Sequence, residues 1–220
     1  MASRTVIIAG ATGLVGREIL QGLLADPTVA AVHSLGRRMP PAQHAKLTAH
    51  VVDFAALPAL PTADEVYLAL GTTIKVAGSQ AAFRAIDYDA NLAVATAALA
   101  AGVKRVGLVS AMGADAHSKV FYSRVKGELE DALATMPFEG MVIARPSMLV
   151  GDRGGLGQPV RQGEVLASAL GKAVGFLIPA NYKPINASAV GKALLAAVPS
   201  ARGRTVLLSG SMRREVLAPS

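Results

Sequence analysis

The feature that most constrains the fold is a glycine-rich turn between an apolar segment and an amphipathic one. Residues 5–9 form a short, continuous apolar run, which is typical of a buried parallel strand. Gly10, Gly13 and Gly16 follow at Gly-x-x-Gly-x-x-Gly spacing, and from Leu14 the apolar residues recur at helical spacing. A strand, a tight glycine turn and a helix in this order begin a βαβ unit of a parallel sheet.

The same alternation of strand and helix continues along the chain. Apolar runs predict further strands at residues 31–35, 47–52, 65–70, 106–110, 141–144 and 205–208, and helical spacing predicts helices at 80–101, 119–136, 160–170 and 188–198. With 52% hydrophobic and 4% aromatic residues, the core is built mainly from aliphatic side chains, as suits strands covered by helices. We therefore predict one doubly wound α/β domain over residues 1–220, with residues 151–186 as the substrate-side loop and helix region.

Composition excludes several classes of function. There is no Cys, so disulfides, thiolate metal sites and cysteine nucleophiles are absent, and a cytoplasmic location is expected. We see no secretory signal or membrane-spanning segment, and expect no membrane partner. The net charge of +7 is spread over scattered residues without a basic block, which favours a generally basic surface, with a local phosphate site second, over nucleic acid. The four histidines are not spaced as metal ligands, so no metal is predicted.

The glycine turn predicts a nicotinamide dinucleotide as cofactor. Glycine lets the backbone approach a pyrophosphate without a Cβ in the way, and the helix that follows offers free N–H groups and its dipole to the anion. Thr12, Leu14 and Val15 lie within the same turn and are included in the predicted binding segment. A merely structural turn is the alternative, and the flanking strand and helix make it the weaker one.

The end of the second strand favours NADP(H) over NAD(H). An NAD site usually places an acid there, about 20 residues past the turn, to bind the ribose 2′-hydroxyl. No Asp or Glu occurs between Asp26 and Asp53, and the strand is followed instead by Arg37 and Arg38. Guanidinium groups suit bidentate contact with a 2′-phosphate.

Three residues suggest proton-transfer chemistry. Tyr122 and Lys126 are four positions apart, so on a helix both side chains stand on one face. A nearby cation stabilises a phenolate, which a general acid/base needs to form during turnover. Ser110, at the carboxyl end of the fifth predicted strand, is placed to hydrogen-bond a substrate carbonyl.

In this order, the glycine turn, Ser110 and Tyr122-x-x-x-Lys126 resemble the short-chain dehydrogenase/reductase superfamily across nearly the whole chain. The chain looks like an atypical, epimerase-like member, similar to the Tat-interacting-protein branch, whose members bind NADPH. The segments that carry this similarity are residues 70–73, 102–106, 110–115, 125–128 and 145–147. That branch contains both reductase-like and regulatory proteins.

The resemblance implies a role for each matching residue. It makes Tyr122 the general acid/base, Lys126 the ligand of the nicotinamide ribose and Ser110 the residue that orients substrate. The matching cofactor contacts are Asp53 and Phe54 at the adenine, Leu70, Gly71 and Thr72 along the adenosine ribose, and Pro146 beside the nicotinamide.

One departure from the family leaves two functions open. Many extended members carry an Asn near the start of the central helix, where this chain has Asp87, with Asn91 a turn later. We expect an NADP(H)-dependent oxidoreductase acting on a small carbonyl or alcohol. The alternative is a catalytically idle NADPH-binding regulator of a protein partner, and a homodimer is also left open.

Overall fold

The computed structural model describes residues 3–150 and 179–217, which form a seven-stranded parallel sheet with helices on both faces. Its strands are Arg4–Ala9 (β1), Val29–Gly36 (β2), Leu47–Val51 (β3), Glu65–Leu68 (β4), Arg105–Val109 (β5), Gly140–Arg145 (β6) and Gly203–Leu208 (β9). They lie in the order β3-β2-β1-β4-β5-β6-β9. Leu149–Val150 (β7) and Ile185–Asn186 (β8) pair separately.

The helices alternate with the strands, as predicted. They are Leu14–Ala25 (α1), Ile74–Ala77 (α2), Gln80–Arg84 (α3), Asn91–Ala100 (α4), Phe121–Ala134 (α5), and then Ala187–Ala197 and Ser209–Leu217. None of the helices described is long and apolar enough to cross a membrane.

The core consists of two apolar layers, one on each face of the sheet. Val6 and Ile8 of β1 pack in the layer that includes α1 and the helix Ala187–Ala197. Ile7 and Ala9, on the opposite face, pack with α4 and α5. Successive residues of a strand point to opposite faces, so an uninterrupted apolar run is what a doubly covered strand requires. The predicted doubly wound α/β fold is confirmed.

Apart from the helix predicted at residues 80–101, the predicted elements agree with the structure to within a few residues. In the described part of the chain, the short helix α2, the β7–β8 pair, the helix Ser209–Leu217 and the 3₁₀ segments Ala180–Tyr182 and Val198–Ser200 were not predicted. Each is short or polar, so its periodicity is weak. The predicted helix 160–170 and most of the predicted substrate-side region lie outside the described residues.

The long helix predicted at residues 80–101 is not one regular helix. A π-helical segment, Ala85–Ala90, separates α3 from α4. A π segment inserts a residue into the helix and shifts the face that the following residues present, and such segments frequently occur at functional sites. This one contains Asp87, which is completely buried.

Two histidines at the edge of the sheet should make stability depend on pH. His33 Nδ1 lies 3.1 Å from His50 Nε2, and burial, followed by the charge of His50, lowers the pKa of His33 from its ordinary 6.5. Below pH 6.5 the unfolded chain therefore binds more protons at this position than the folded one does. The free energy of unfolding should fall as the pH is lowered through this range.

Urea denaturation at several pH values measures this effect. His33→Gln should flatten the pH dependence, whereas the same change at the exposed His44 should leave it unaltered. If wild type and His33→Gln lose stability in parallel on acidification, the histidine pair is not the cause.

Candidate active site

The glycine turn is packed so closely that two of its residues have no room for a side chain. Gly10 has φ +92°, and a Cβ on it would lie 2.4 Å from the carbonyl oxygen of Ala69. A Cβ on Gly16 would lie 2.1 Å from the carbonyl oxygen of Gly10. The turn therefore presses against the loop that leaves β4, and α1 begins directly against the turn.

No side chain within residues 3–150 or 179–217 caps the N-terminus of α1. Gly13 is its N-cap and has no side chain to cap it, while Leu14 and Val15 form the first turn. The half-buried Thr12 makes no side-chain hydrogen bond to a described residue. Unused N–H groups at the positive end of a helix dipole, beside a backbone without Cβ atoms, fit a pyrophosphate.

The remaining predicted residues lie beyond the carboxyl ends of the parallel strands. β1 and β4 are neighbours from which the strand order runs in opposite directions, and ligands of such sheets bind beyond the carboxyl ends at this point. Leu70, Gly71 and Thr72 leave β4 here, and Ser110 and Pro146 follow β5 and β6. The carbonyl oxygen of buried Pro146 accepts a hydrogen bond of 2.9 Å from the N–H of Met112, which ties the last two loops together.

A buried ion pair lies beside the loop after β4. Lys126 Nζ is 2.7 Å from Asp87 Oδ1, and the two side chains are 6% and 0% exposed. Asp87 Oδ2 also accepts a 2.9 Å hydrogen bond from the N–H of Thr72. Gly71 lies beside this ion pair: a Cβ there would be in van der Waals contact with both side chains, 3.5 Å from Asp87 Oδ1 and 3.8 Å from Lys126 Nζ. Asp87 thus fixes both the lysine and the predicted cofactor loop.

Asn91 binds backbone carbonyl groups, whereas Asp87 pairs with Lys126. Its Nδ2 group lies within hydrogen-bonding distance of three carbonyl oxygens, those of Leu70 (3.1 Å), Ile86 (3.3 Å) and Asp87 (3.1 Å). Asn91 therefore holds the π segment against the loop after β4, and its donors are used by backbone. Of the two residues considered from sequence, Asp87 is the one in contact with Lys126.

Tyr122 stands one helical turn before Lys126 on α5. Its ring packs against buried Phe83, with centroids 5.5 Å apart, and it remains half-buried. Its hydroxyl makes no hydrogen bond to any described residue. The ring is thus held by packing while its O–H stays available.

Ser110 is not free in the way the sequence suggested. It is 5% exposed, and its Oγ lies 2.5 Å from Oε1 of Glu130, which is completely buried. Glu130 also accepts from Arg145, at 2.6 Å from Nη2, and from Arg204, at 3.2 Å. Its hydrogen bond to Glu130 raises the pKa of Arg145, although burial acts against this. Glu130 forms salt bridges with two guanidinium groups, and a carboxylate in such a pair only accepts hydrogen bonds, so Ser110 must be the donor.

The residues predicted to contact the adenosine half lie at the rim. Arg37 and Arg38 are exposed and form no ion pair with a described residue. Asp53 Oδ1 accepts from the N–H of Ala55 at 3.0 Å, and Phe54 packs at the border of the apolar layer formed with α4 and α5. They follow β2 and β3, so they lie at the same edge of the sheet as the glycine turn.

Sequence reasoning missed Glu130 and Gly127. Glu130 lies four residues after Lys126, a spacing that places it on the same helix face. A Cβ on Gly127 would lie 2.2 Å from the backbone of Asp115 and of Ala116, so this glycine lets the loop after β5 rest on α5. An acidic residue four positions after Lys126 is a sequence signal that could have indicated Glu130. No sequence signal indicates the close approach of the Asp115 and Ala116 backbone to Gly127.

Comparison with known proteins now places the chain. A model of the NAD(P)H-binding family matches residues 10–168. The chain belongs to this NAD(P)H-binding family. Among its relatives is the mitochondrial protein FMP52 of Coccidioides immitis, 37% identical over 189 residues, which are 79% of this chain and 75% of the relative. FMP52 of Candida albicans is 35% identical over 201 residues, covering 86% and 85%.

Solved structures confirm the fold of this NAD(P)H-binding protein. MoeE5 in complex with UDP-glucose and NAD superposes with a TM-score of 0.68 at 18% identity, over 92% of this chain and 75% of that one. WbmH of Bordetella bronchiseptica in complex with NAD⁺ gives 0.68 at 17%, over 99% and 82%. Together with the family match, they confirm the resemblance to atypical short-chain dehydrogenase/reductases.

The expected cytoplasmic location is wrong by the same comparisons, because the FMP52 relatives are named mitochondrial proteins. The expectation rested on the absence of Cys, which removes any need for an oxidising compartment. That absence does not distinguish the cytoplasm from other reducing compartments, so the inference went too far. In the described ranges no three His, Asp or Glu side chains are grouped as metal ligands.

Proposed function

We propose that this member of the NAD(P)H-binding family is an NADP(H)-dependent oxidoreductase that interconverts a small carbonyl compound and its alcohol. The Lys126–Asp87 ion pair beside Gly71, with Tyr122 one turn away, is the observation that carries this proposal. A buried lysine whose charge is already balanced is suited to hold a ribose, and a phenol with an unused O–H is suited to hold or release a proton.

Each part of the site has a task in this proposal. The glycine turn and the N-terminus of α1 bind the pyrophosphate. Lys126 has three N–H donors, and among the described residues only Asp87 faces it, so it has donors left for the ribose hydroxyls. When bound, the nicotinamide supplies or accepts the hydride. Tyr122 gives the proton to the carbonyl oxygen, or takes it from the alcohol.

An NADPH oxidation screen over aldehydes, ketones, quinones and sugar nucleotides tests the proposal. We expect turnover with at least one class, accompanied by conversion of the carbonyl group to an alcohol. A protein that binds NADPH yet oxidises it with none of these classes contradicts the proposed reaction.

The choice of NADP(H) rests on Arg37 and Arg38, which are exposed at the end of β2 and have no carboxylate nearby in sequence. A hydrogen bond from a guanidinium to phosphate is worth about 1.5–3 kcal/mol, so replacing both residues by Ala should weaken NADPH at least about tenfold. NADH lacks the 2′-phosphate and should be little affected. The increase in nicotinamide fluorescence on binding gives both affinities. Equal losses for the two cofactors would show that the arginines do not read the 2′-phosphate.

One observation favours the second candidate, an idle NADPH-binding regulator. Ser110 has a single hydrogen, and it is donated to Glu130 instead of pointing at a carbonyl. A pull-down with and without NADPH discriminates between the two, because only a regulator requires a protein partner whose retention depends on cofactor. The same hydrogen bond of Ser110 also suits an enzyme that binds an alcohol.

A further inference from the structure

We infer that Glu130 is a positioning residue that turns the Ser110 hydroxyl into a hydrogen-bond acceptor toward the substrate, so that the site binds the alcohol in preference to the carbonyl. This inference rests on the proposed function, because it concerns the substrate of the same site. It assigns a role to a buried carboxylate that the proposed reaction does not otherwise use.

The direction of the hydrogen bond follows from chemistry, not from the placement of a hydrogen atom. Glu130 is 0% exposed and receives Nη2 of both Arg145 and Arg204, at 2.6 and 3.2 Å. It forms salt bridges with both, and a carboxylate in a salt bridge only accepts hydrogen bonds. The 2.5 Å contact with Ser110 therefore takes the only hydrogen that the serine has.

The lone pairs of Ser110 are what remains for a ligand. While Tyr122 is protonated, a substrate alcohol can accept the Tyr122 O–H and donate its own O–H to Ser110, whereas a carbonyl oxygen would face another acceptor at Ser110 and gain nothing there. The backbone of Ser110 is fixed as well, since its N–H donates to the carbonyl oxygen of Ala144 at 2.8 Å. If the Ser110 hydroxyl turned its hydrogen away from Glu130, the buried carboxylate would lose one hydrogen bond, which is costly.

Glu130→Gln is expected to reverse the direction of the hydrogen bond between residue 130 and Ser110. The amide oxygen is expected to turn toward the two arginines, because an NH₂ group there would face donors. The NH₂ group then points at Ser110 and donates to it, which frees the serine hydrogen for the ligand. The substitution keeps the shape of the side chain, removes its charge and reverses the hydrogen bond to Ser110. Arg145 Nε, which lies 3.0 Å from Oε1 and 3.2 Å from Oε2 of Glu130, then keeps only its contact with the amide oxygen.

The experiment compares matched ligands that differ only at the reacting carbon. Binding of cyclohexanol to the NADPH complex, and of cyclohexanone to the NADP⁺ complex, is measured by NMR titration, and neither combination can turn over. We expect wild type to favour the alcohol and Glu130→Gln to shift the ratio of dissociation constants toward the ketone by about three- to tenfold, the range of one hydrogen bond.

Ser110→Ala provides the control that separates positioning from a structural effect. Ser110→Ala should abolish most of the preference for the alcohol. When Glu130→Gln is added to Ser110→Ala, the ratio of the alcohol and ketone dissociation constants should not change further. The single serine variant also tests the inference if Glu130→Gln does not fold, because it leaves the charges of Glu130, Arg145 and Arg204 in place.

The outcomes distinguish this inference from the proposed function. A wild type that does not bind NADPH refutes the proposed function itself. If NADPH binds but the alcohol does not, or if the ratio is the same with and without the Ser110 hydroxyl, the inference is overturned while the cofactor site stands. A change in the ratio that Glu130→Gln produces equally in the Ser110→Ala background overturns it too.

Discussion

Tyr122→Phe should lower turnover by about 10²–10⁴ while leaving NADPH affinity almost unchanged, because it removes the transferable proton and nothing else. The ring that packs on Phe83 is retained, and the lost hydroxyl has no partner among the described residues. Steady-state kinetics on a substrate from the NADPH screen, together with cofactor titration, measure both quantities.

Tyr88→Phe is the matched control for this substitution. Tyr88 lies next to Asp87 in the π segment, and its ring lies under Arg84, 4.3 Å from the guanidinium carbon. Its loss of a hydroxyl should leave turnover near the wild-type rate. A Tyr122→Phe protein that turns over as fast as wild type would show that another group moves the proton.

Lys126→Ala should produce the largest loss of stability. It leaves the completely buried Asp87 without its cation, and removing one partner of a buried ion pair costs about 3–5 kcal/mol. NADPH affinity should fall as well, since the ribose loses its lysine. Chemical denaturation and cofactor titration report the two effects separately.

A double variant separates stability from binding. Lys126→Ala combined with Asp87→Ala removes both charges, so it should recover much of the lost stability but none of the NADPH affinity. Lys104→Ala is the surface control, because its pair with Glu139 is 63% and 45% exposed and should contribute no more than about 1 kcal/mol. If the double variant is no more stable than Lys126→Ala, Asp87 carries no unpaired charge in the single variant.

Much of the fold could be predicted from sequence because its signals are local. A run such as Val-Ile-Ile-Ala suits a strand that is covered on both faces, which is typical of a parallel sheet, and Gly10 and Gly16 are needed where no Cβ fits. The positions of Tyr122 and Lys126 on one helix face follow from a spacing of four. These features require no knowledge of distant parts of the chain.

The polar interior of the site depends on contacts distant in sequence, and these could not be predicted. Asp87 reaches Lys126 across 39 positions by way of a π segment that helical periodicity does not reveal. Glu130 contacts Ser110, Arg145 and Arg204, which come from three different strands or strand ends. A serine that looked ready to donate to substrate is therefore a donor to the protein itself.

We propose that the turn from Gly10 to Gly16, together with Arg37 and Arg38, makes this protein an NADP(H) binder. Calorimetric titration of the wild-type protein with NADPH and, separately, with NADH at the same salt concentration tests it most directly. We predict saturable binding of one NADPH per chain, at least about tenfold tighter than NADH, the difference expected from a single charged phosphate contact. Equal affinity for the two cofactors, or tighter binding of NADH, would contradict the claim.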